Sequence, residues 1–339
     1  MTLLKWRVFS VALLLAMSVM MPSLTKAQSM TEIPLGSGGG GTASAGTTEG
    51  FANSVTGLDG DAAGTPSAAT NTTGPEAVAF DGTYVWVATQ FNDSITRVRV
   101  SDRVVSGTFV VGKRPVALLY AAGSIWVANL LSNTVTKVTP STGAIAATYN
   151  VADGPGGLAF DGTNIWVANR HSNTVTKLST KGSVLGTFRV GNRPIGLAFA
   201  ANSIWVANNF SNSVTRLSTA GAVLGTYAVG RGPFGVAAEG ANVWVTNYFG
   251  KTVTKLRASD GLNLGTFTVG DGASGIAFDG TNLWVVNNGD STVMKVSPSS
   301  GSIVATYVTG KGPFSVAFDG SQIWVPNFGS NSVSTTAAN

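Results

Sequence analysis

The 339-residue chain has no cysteine. That excludes a disulfide framework and any thiolate metal site, so an exported fold of this sequence must be held by packing alone. Histidine is almost as scarce. The one imidazole, His171, has no second imidazole with which to share a metal. It would also have to serve any Ser–His–Asp set by itself. Charged residues make up 11% of the chain, and the formal net charge is +5. Three of the cations, Lys5, Arg7 and Lys26, fall in the first 27 residues with no acid among them. The remaining 18 basic and 16 acidic residues nearly balance, too weak an excess for charge-driven binding of nucleic acid or membrane over the whole surface. Helical periodicity is missing too. From Gly74 onward, apolar residues never recur at the 3.6 spacing over a helix-length window, and Gly, usually with Pro, opens each stretch.

A tryptophan-centred repeat takes the place of helices. Trp86, Trp126, Trp166, Trp205, Trp244, Trp284 and Trp324 are separated by 40, 40, 39, 39, 40 and 40 residues. A fixed period of this length decides the architecture before any local signal does. Each copy carries four strand signals. In the third they fall at 157–160, 164–169, 174–178 and 184–190, rich in Val, Ile, Thr, Phe and Trp. Asp-Gly at 81–82, 161–162, 279–280 and 319–320 marks a hairpin turn between the first two strands. Seven such copies predict an all-β fold, a seven-bladed β-propeller of four-stranded antiparallel blades over residues 74–339. First strands alternate large and small residues, as in Leu158 and Phe160 between Gly157 and Ala159. That alternation fits the taper towards a crowded axis.

Residues 1–27 have a basic start, an apolar run from Val8 to Met21 and a small residue, Ala27. They read as a secretory signal peptide, too short for a membrane span, and place the protein in the periplasm or outside the cell, with no membrane span in the mature chain. Residues 28–50 read as a flexible Gly/Ser/Thr-rich linker. Residues 51–73 read as a degenerate half repeat. Gly/Ala-Thr-Phe/Tyr, the outer-strand motif, occurs six times (107–109, 147–149, 186–188, 225–227, 265–267 and 305–307) for seven blades. Residues 62–73 are therefore expected to supply the missing outer strand and close the ring.

Trp-Val-Thr-Asn at 244–247 and Trp-Val-Ala-Asn at 126–129, 166–169 and 205–208, followed by Thr-Val-Thr-Lys-Leu or close kin at 134–138, 174–178 and 252–256, resemble the YVTN β-propeller repeat. The resemblance spans residues 74–333 and implies the fold with little about activity. Some propellers of this type bind nucleic acid. Streptogramin B lyases, of similar fold, use His and Glu with a divalent metal, and sugar-lactonase propellers gather acidic and amide ligands round one.

Function is expected where loops meet. The loop after the second strand and the linker between blades should share one face of the disc. The repeated Asn129, Asn169, Asn208, Asn247, Asn287 and Asn327 there read as turn residues capping their own backbone. Between these anchors the copies differ. Phe91, Arg170, His171, Phe210, Tyr248 and Phe249 come from the first set of loops, and Arg114, Arg193 and Arg231 from the second. Glu76, Phe234 and Phe314 follow at the channel mouth. Arginines among rings suit an anionic, carbohydrate, peptide or single-stranded nucleic-acid ligand. An ordinary solvated rim is the plain alternative. The expectation is a monomeric, non-catalytic binding scaffold with no cofactor, no metal and no catalytic residue. The alternative is a metal-dependent lyase or lactonase of the streptogramin B lyase type.

Overall fold

The computed structural model describes residues 27–35 and 74–339. Two short strands, β1 (Gln28–Ser29) and β2 (Thr31–Pro34), precede six four-stranded blades and the three later strands of a seventh. In the third blade the strands are Pro155–Phe160, Asn164–Asn169, Thr174–Ser179 and Val184–Arg189, each antiparallel to the next. The last blade packs on the first, so the ring is closed. Among the described residues no helix is long and apolar enough to cross a membrane.

The period-two alternation of strands explains the assembly. In Asn-Ile-Trp-Val-Ala-Asn the tryptophan points to one face of the blade, and its aliphatic neighbours point to the other. Trp166 therefore packs on Ile204, Val206 and Leu217 of the following blade, while Ile165 and Val167 receive Trp126 of the preceding one. The same exchange recurs at each interface, and at the closing seam Trp324 meets Val85, Val87 and Val98. All seven indoles are fully buried. The tryptophan is thus a wedge between blades, each burying about 150–250 Å².

Three further devices hold the wedge. In six blades an outer-strand ring lies on the indole, from Trp284–Tyr307 at 5.2 Å to Trp126–Tyr149 at 6.0 Å. A third-strand Lys or Arg also lies over the indole, as Lys177 does at 5.3 Å from Trp166. The same Lys177 ammonium donates to the Thr219 carbonyl of the next blade at 2.7 Å. The Asp-Gly turn supplies the indole's acceptor. Asp161 takes the Trp166 Nε1–H at 2.8 Å on one oxygen and the Thr163 and Asn164 amides on the other. Gly162 turns the corner at φ 91°, where a side chain would be strained.

The repeated asparagines are fully buried and do not cap their own turns. Asn129 donates to Thr134 Oγ1 and Thr136 Oγ1 at 3.1 and 2.9 Å and accepts the Gly112 amide at 3.1 Å. It ties the third strand to the incoming linker.

Closure differs from expectation. The outer strand of blade seven is β2, with Thr31, Glu32, Ile33 and Pro34 paired to Thr335, Ser334, Val333 and Ser332 of the last strand. Residues 28–35 are therefore not a flexible linker. Ile33 and Leu35 are buried beside Trp324, which offsets the entropy of ordering them. Before entering this seat, β1 adds a parallel fifth strand to blade six, with Gln28 opposite Tyr307. Residues 62–73, the expected closing strand, lie outside the described residues.

Candidate functional site

The two loop sets do share a face. Each second-strand loop is hydrogen-bonded to the linker that enters its own blade, as Arg170 N–H is to Gly154 O and Tyr248 N–H to Gly232 O. Inside this face a cavity of about 400 Å³ opens into the centre of the ring. Its walls are the seven inner strands. Val78, Leu118, Leu158, Leu197, Val236, Ile276 and Val316 contribute one aliphatic each. Small residues lie beside them because the inner strands crowd. A Cβ on Gly157 would sit 1.9 Å from the Ile195 carbonyl of the next blade.

The mouth is divided. On one side stand Glu76 and Arg170, both lining the cavity. Burial raises the Glu76 carboxyl above the usual range, and the Arg170 and Arg114 guanidiniums pull it back only in part. Arg114 donates its Nε–H to Gln90 Oε1 at 2.8 Å. On the other side runs an unbroken chain of rings: Phe91–Phe328 at 5.4 Å, Phe328–Phe314 at 5.9 Å, Phe314–Phe234 at 6.3 Å, Phe234–Tyr248 at 5.9 Å and Tyr248–Phe249 at 5.3 Å. Phe234 and Phe314 belong to blades five and seven and meet over blade six. Asn288 of blade six holds this arc, accepting the Tyr248 hydroxyl at 3.1 Å and donating to the Pro313 carbonyl at 2.9 Å.

Of the twelve residues expected at a site, Glu76, Arg170, Phe234 and Phe314 line the cavity, and Arg114 acts on it electrostatically. Phe91, Tyr248 and Phe249 extend the ring arc. The other four stay on the rim. His171 Nδ1 lies 3.6 Å from Asp153 Oδ1, and Arg193 is buried under Phe210 at 4.6 Å. Arg231 is exposed in the linker to blade five. Gln90, Asn288 and Phe328 complete the site. Gln90 and Asn288 fall at one repeat position, where other copies carry Leu130, Arg170, Asn209, Tyr248 and Phe328. That variability was the signal available.

Backbone strain marks the cations. The residue just before the linker proline, or before Ala273 in blade six, is Gly74, Gly154, Gly232, Gly272 or Gly312 in five blades, all at positive φ. In blades two and four the same left-handed position holds Arg114, φ 54°, and Arg193, φ 53°. A long side chain there costs about 1 kcal/mol or more that glycine would avoid.

Taken together, these features define a seven-bladed β-propeller with an asymmetric mouth. No protein-family model matches the sequence, and no curated protein matches it. Solved structures do share the fold. Hydrazine synthase of Kuenenia stuttgartiensis superposes with a TM-score of 0.72 at 19% identity, over 79% of this chain and 97% of that one. A streptogramin B lyase gives 0.69 at 18%, over 78% and 94%. The virginiamycin B lyase of Staphylococcus aureus gives 0.69 at 19%, over 78% and 95%. At this identity the likeness establishes the architecture.

Proposed function

We propose that the protein is a non-catalytic binding scaffold, exported to the periplasm or beyond, that captures a ligand at the mouth of its central cavity. The observation that carries this reading is Arg114. A residue kept in a left-handed conformation where most copies have glycine is retained at a cost to stability, and it bears on the one carboxyl of the cavity wall. Rings packed in tilted and edge-to-face pairs opposite that charge supply a rigid apolar platform.

The test is Arg114→Gly. Stability should rise by up to about 1 kcal/mol in urea unfolding, because strain is relieved. Binding to ligands selected from an anion, glycan, peptide and single-strand panel should fall. Stability and binding that both decline would show that Arg114 serves the fold instead.

The second reading is a metal-dependent lyase or lactonase of the streptogramin B lyase type. It draws on the raised carboxyl of Glu76, since perturbed acids gather at reaction sites. The residues do not fit a metal of that kind. Among the described residues no three of His, Cys, Asp and Glu stand together, and His171 faces Asp153 on the rim. Metal analysis of the purified protein separates the readings. A stoichiometric divalent ion lost on Glu76→Ala would favour the enzyme.

A further inference from the structure

The lining narrows the ligand, on the reading just given that the mouth binds one. Three lining side chains are polar: Glu76, Arg170 and Ser315. A sugar would find only these three polar side chains for its several hydroxyls. A nucleic-acid strand needs an open groove that follows its phosphates, whereas this cavity is a pit. What the walls do complement is a flat apolar body with one charged end.

The charged end is specified by blade three. The position after the linker proline, or after Ala273 in blade six, is Glu76, Val116, Gly156, Ile195, Phe234, Ser274 and Phe314 in the seven copies, so one copy carries glycine. A Cβ on Gly156 would lie 2.5 Å from Arg170 Nε. The missing side chain lets the Arg170 guanidinium lie across the inner strand into the cavity. Arg114 adds a second positive charge against the single carboxyl of Glu76.

We propose that the mouth is a site for small monocarboxylic acids with a flat apolar body. The carboxylate pairs with the Arg170 guanidinium, reinforced by Arg114. The body lies against Phe234 and Phe314 above the aliphatic wall. Gly156 acts as a positioning residue for Arg170.

A matched trio tests this with the full chain in titration calorimetry: 2-naphthoate, 2-naphthamide and 2-naphthylmethylamine. The acid should bind about tenfold or more tightly than the amide, and the amine most weakly. Arg170→Gln should bring the acid down to the level of the amide. Gly156→Ala, whose backbone is not in the left-handed region, should do the same by displacing the guanidinium. The double variant should then equal either single one. Equal binding of acid and amide, or tightest binding of the amine, overturns the proposal and leaves the binding reading standing. An acid preference that survives Gly156→Ala overturns the role of that glycine. No binding by any of the three overturns the proposal, and the binding reading falls with it only if the anion, glycan, peptide and single-strand panel is also unbound.

Discussion

A buried indole N–H needs an acceptor, and the blades meet that need unequally. Asp81, Asp161, Asp279 and Asp319 serve their tryptophans at 2.7–2.8 Å. Blades two, four and five have a tighter turn. There Trp126 uses the Ala121 carbonyl at 3.1 Å, and Trp244 uses Glu239, a longer acid, at 3.3 Å. Trp205 has Ala200 at this position and no partner for Nε1. Ala200→Glu should therefore copy blade five and raise stability by about 1 kcal/mol, measured by urea unfolding. An unchanged midpoint would mean that the new carboxylate stays in water. Asp161 gives the pH test. Burial pushes its carboxyl up, but the Trp166 indole and the Asn164 and Thr163 amides together hold it below the ordinary value. Its stabilising effect is thus complete above the unfolded carboxylate pKa of about 3.9 and is lost as pH falls through the lower folded value. Asp161→Asn should be weaker than wild type by about 1–2 kcal/mol at neutral pH. The gap should shrink as pH falls below about 4. A constant gap would assign the loss to geometry instead of ionisation.

At the scale of the element, β2 takes the seat of an outer strand without the outer-strand motif. Ile33 lies opposite Val333, as Phe188 lies opposite Val175 in blade three, and Glu32 and Thr31 occupy the places of Thr187 and Gly186. Ile33 is buried against Trp324, and the Ser332 hydroxyl donates to Glu32. Ile33→Asp should cost about 3 kcal/mol or more, because a buried apolar contact is lost and an unpaired charge enters the seam. Ile33→Phe restores the ring that six blades carry and should cost nothing or stabilise. A melting curve unmoved by Ile33→Asp would show that β2 does not hold the ring. The pairing also explains what the sequence could and could not show. Strands, turns and blade number follow from Trp86 to Trp324, because a period needs no knowledge of contacts. Thr31–Pro34 is four residues of strand pattern whose partner lies 300 residues away, and Gly36 onward drew it into a linker reading. Lys177 showed a charge but not the Thr219 carbonyl that receives it. Glu76, Arg170, Phe234 and Phe314 were visible as departures from the repeat. Their division into a charged side and a ring side depends on which side chains reach each other past an intervening blade, as Phe234 and Phe314 do over blade six.

For the whole molecule, seven apolar clusters each join two neighbouring blades. With no disulfide available, closure depends on the seam where the two ends of the described chain share blade seven. Its geometry allows the chain to be reconnected. The last strand, Ser332–Ala337, runs antiparallel to β2, and Thr31 lies opposite Thr335. A short turn from the C-terminus into Thr31 would make blade seven a continuous four-stranded hairpin sheet like the other six, closed by local pairing in place of the long-range clasp. A permutant beginning at Gly74 and ending with residues 31–35 after such a turn keeps every pairing in the ring except β1 on blade six. It should fold, melt in one transition and remain within a few degrees of the parent, since the interblade wedges are untouched. The same permutant lacking residues 31–35 leaves the Ser332–Ala337 edge and Trp324 uncovered, and should melt well below both. Calorimetry of the three proteins decides the matter. If the permutant with the strand melts as low as the one without it, the clasp owes its effect to β1 on blade six or to the covalent path between Leu35 and Gly74, and the seat on blade seven is not what closes the ring.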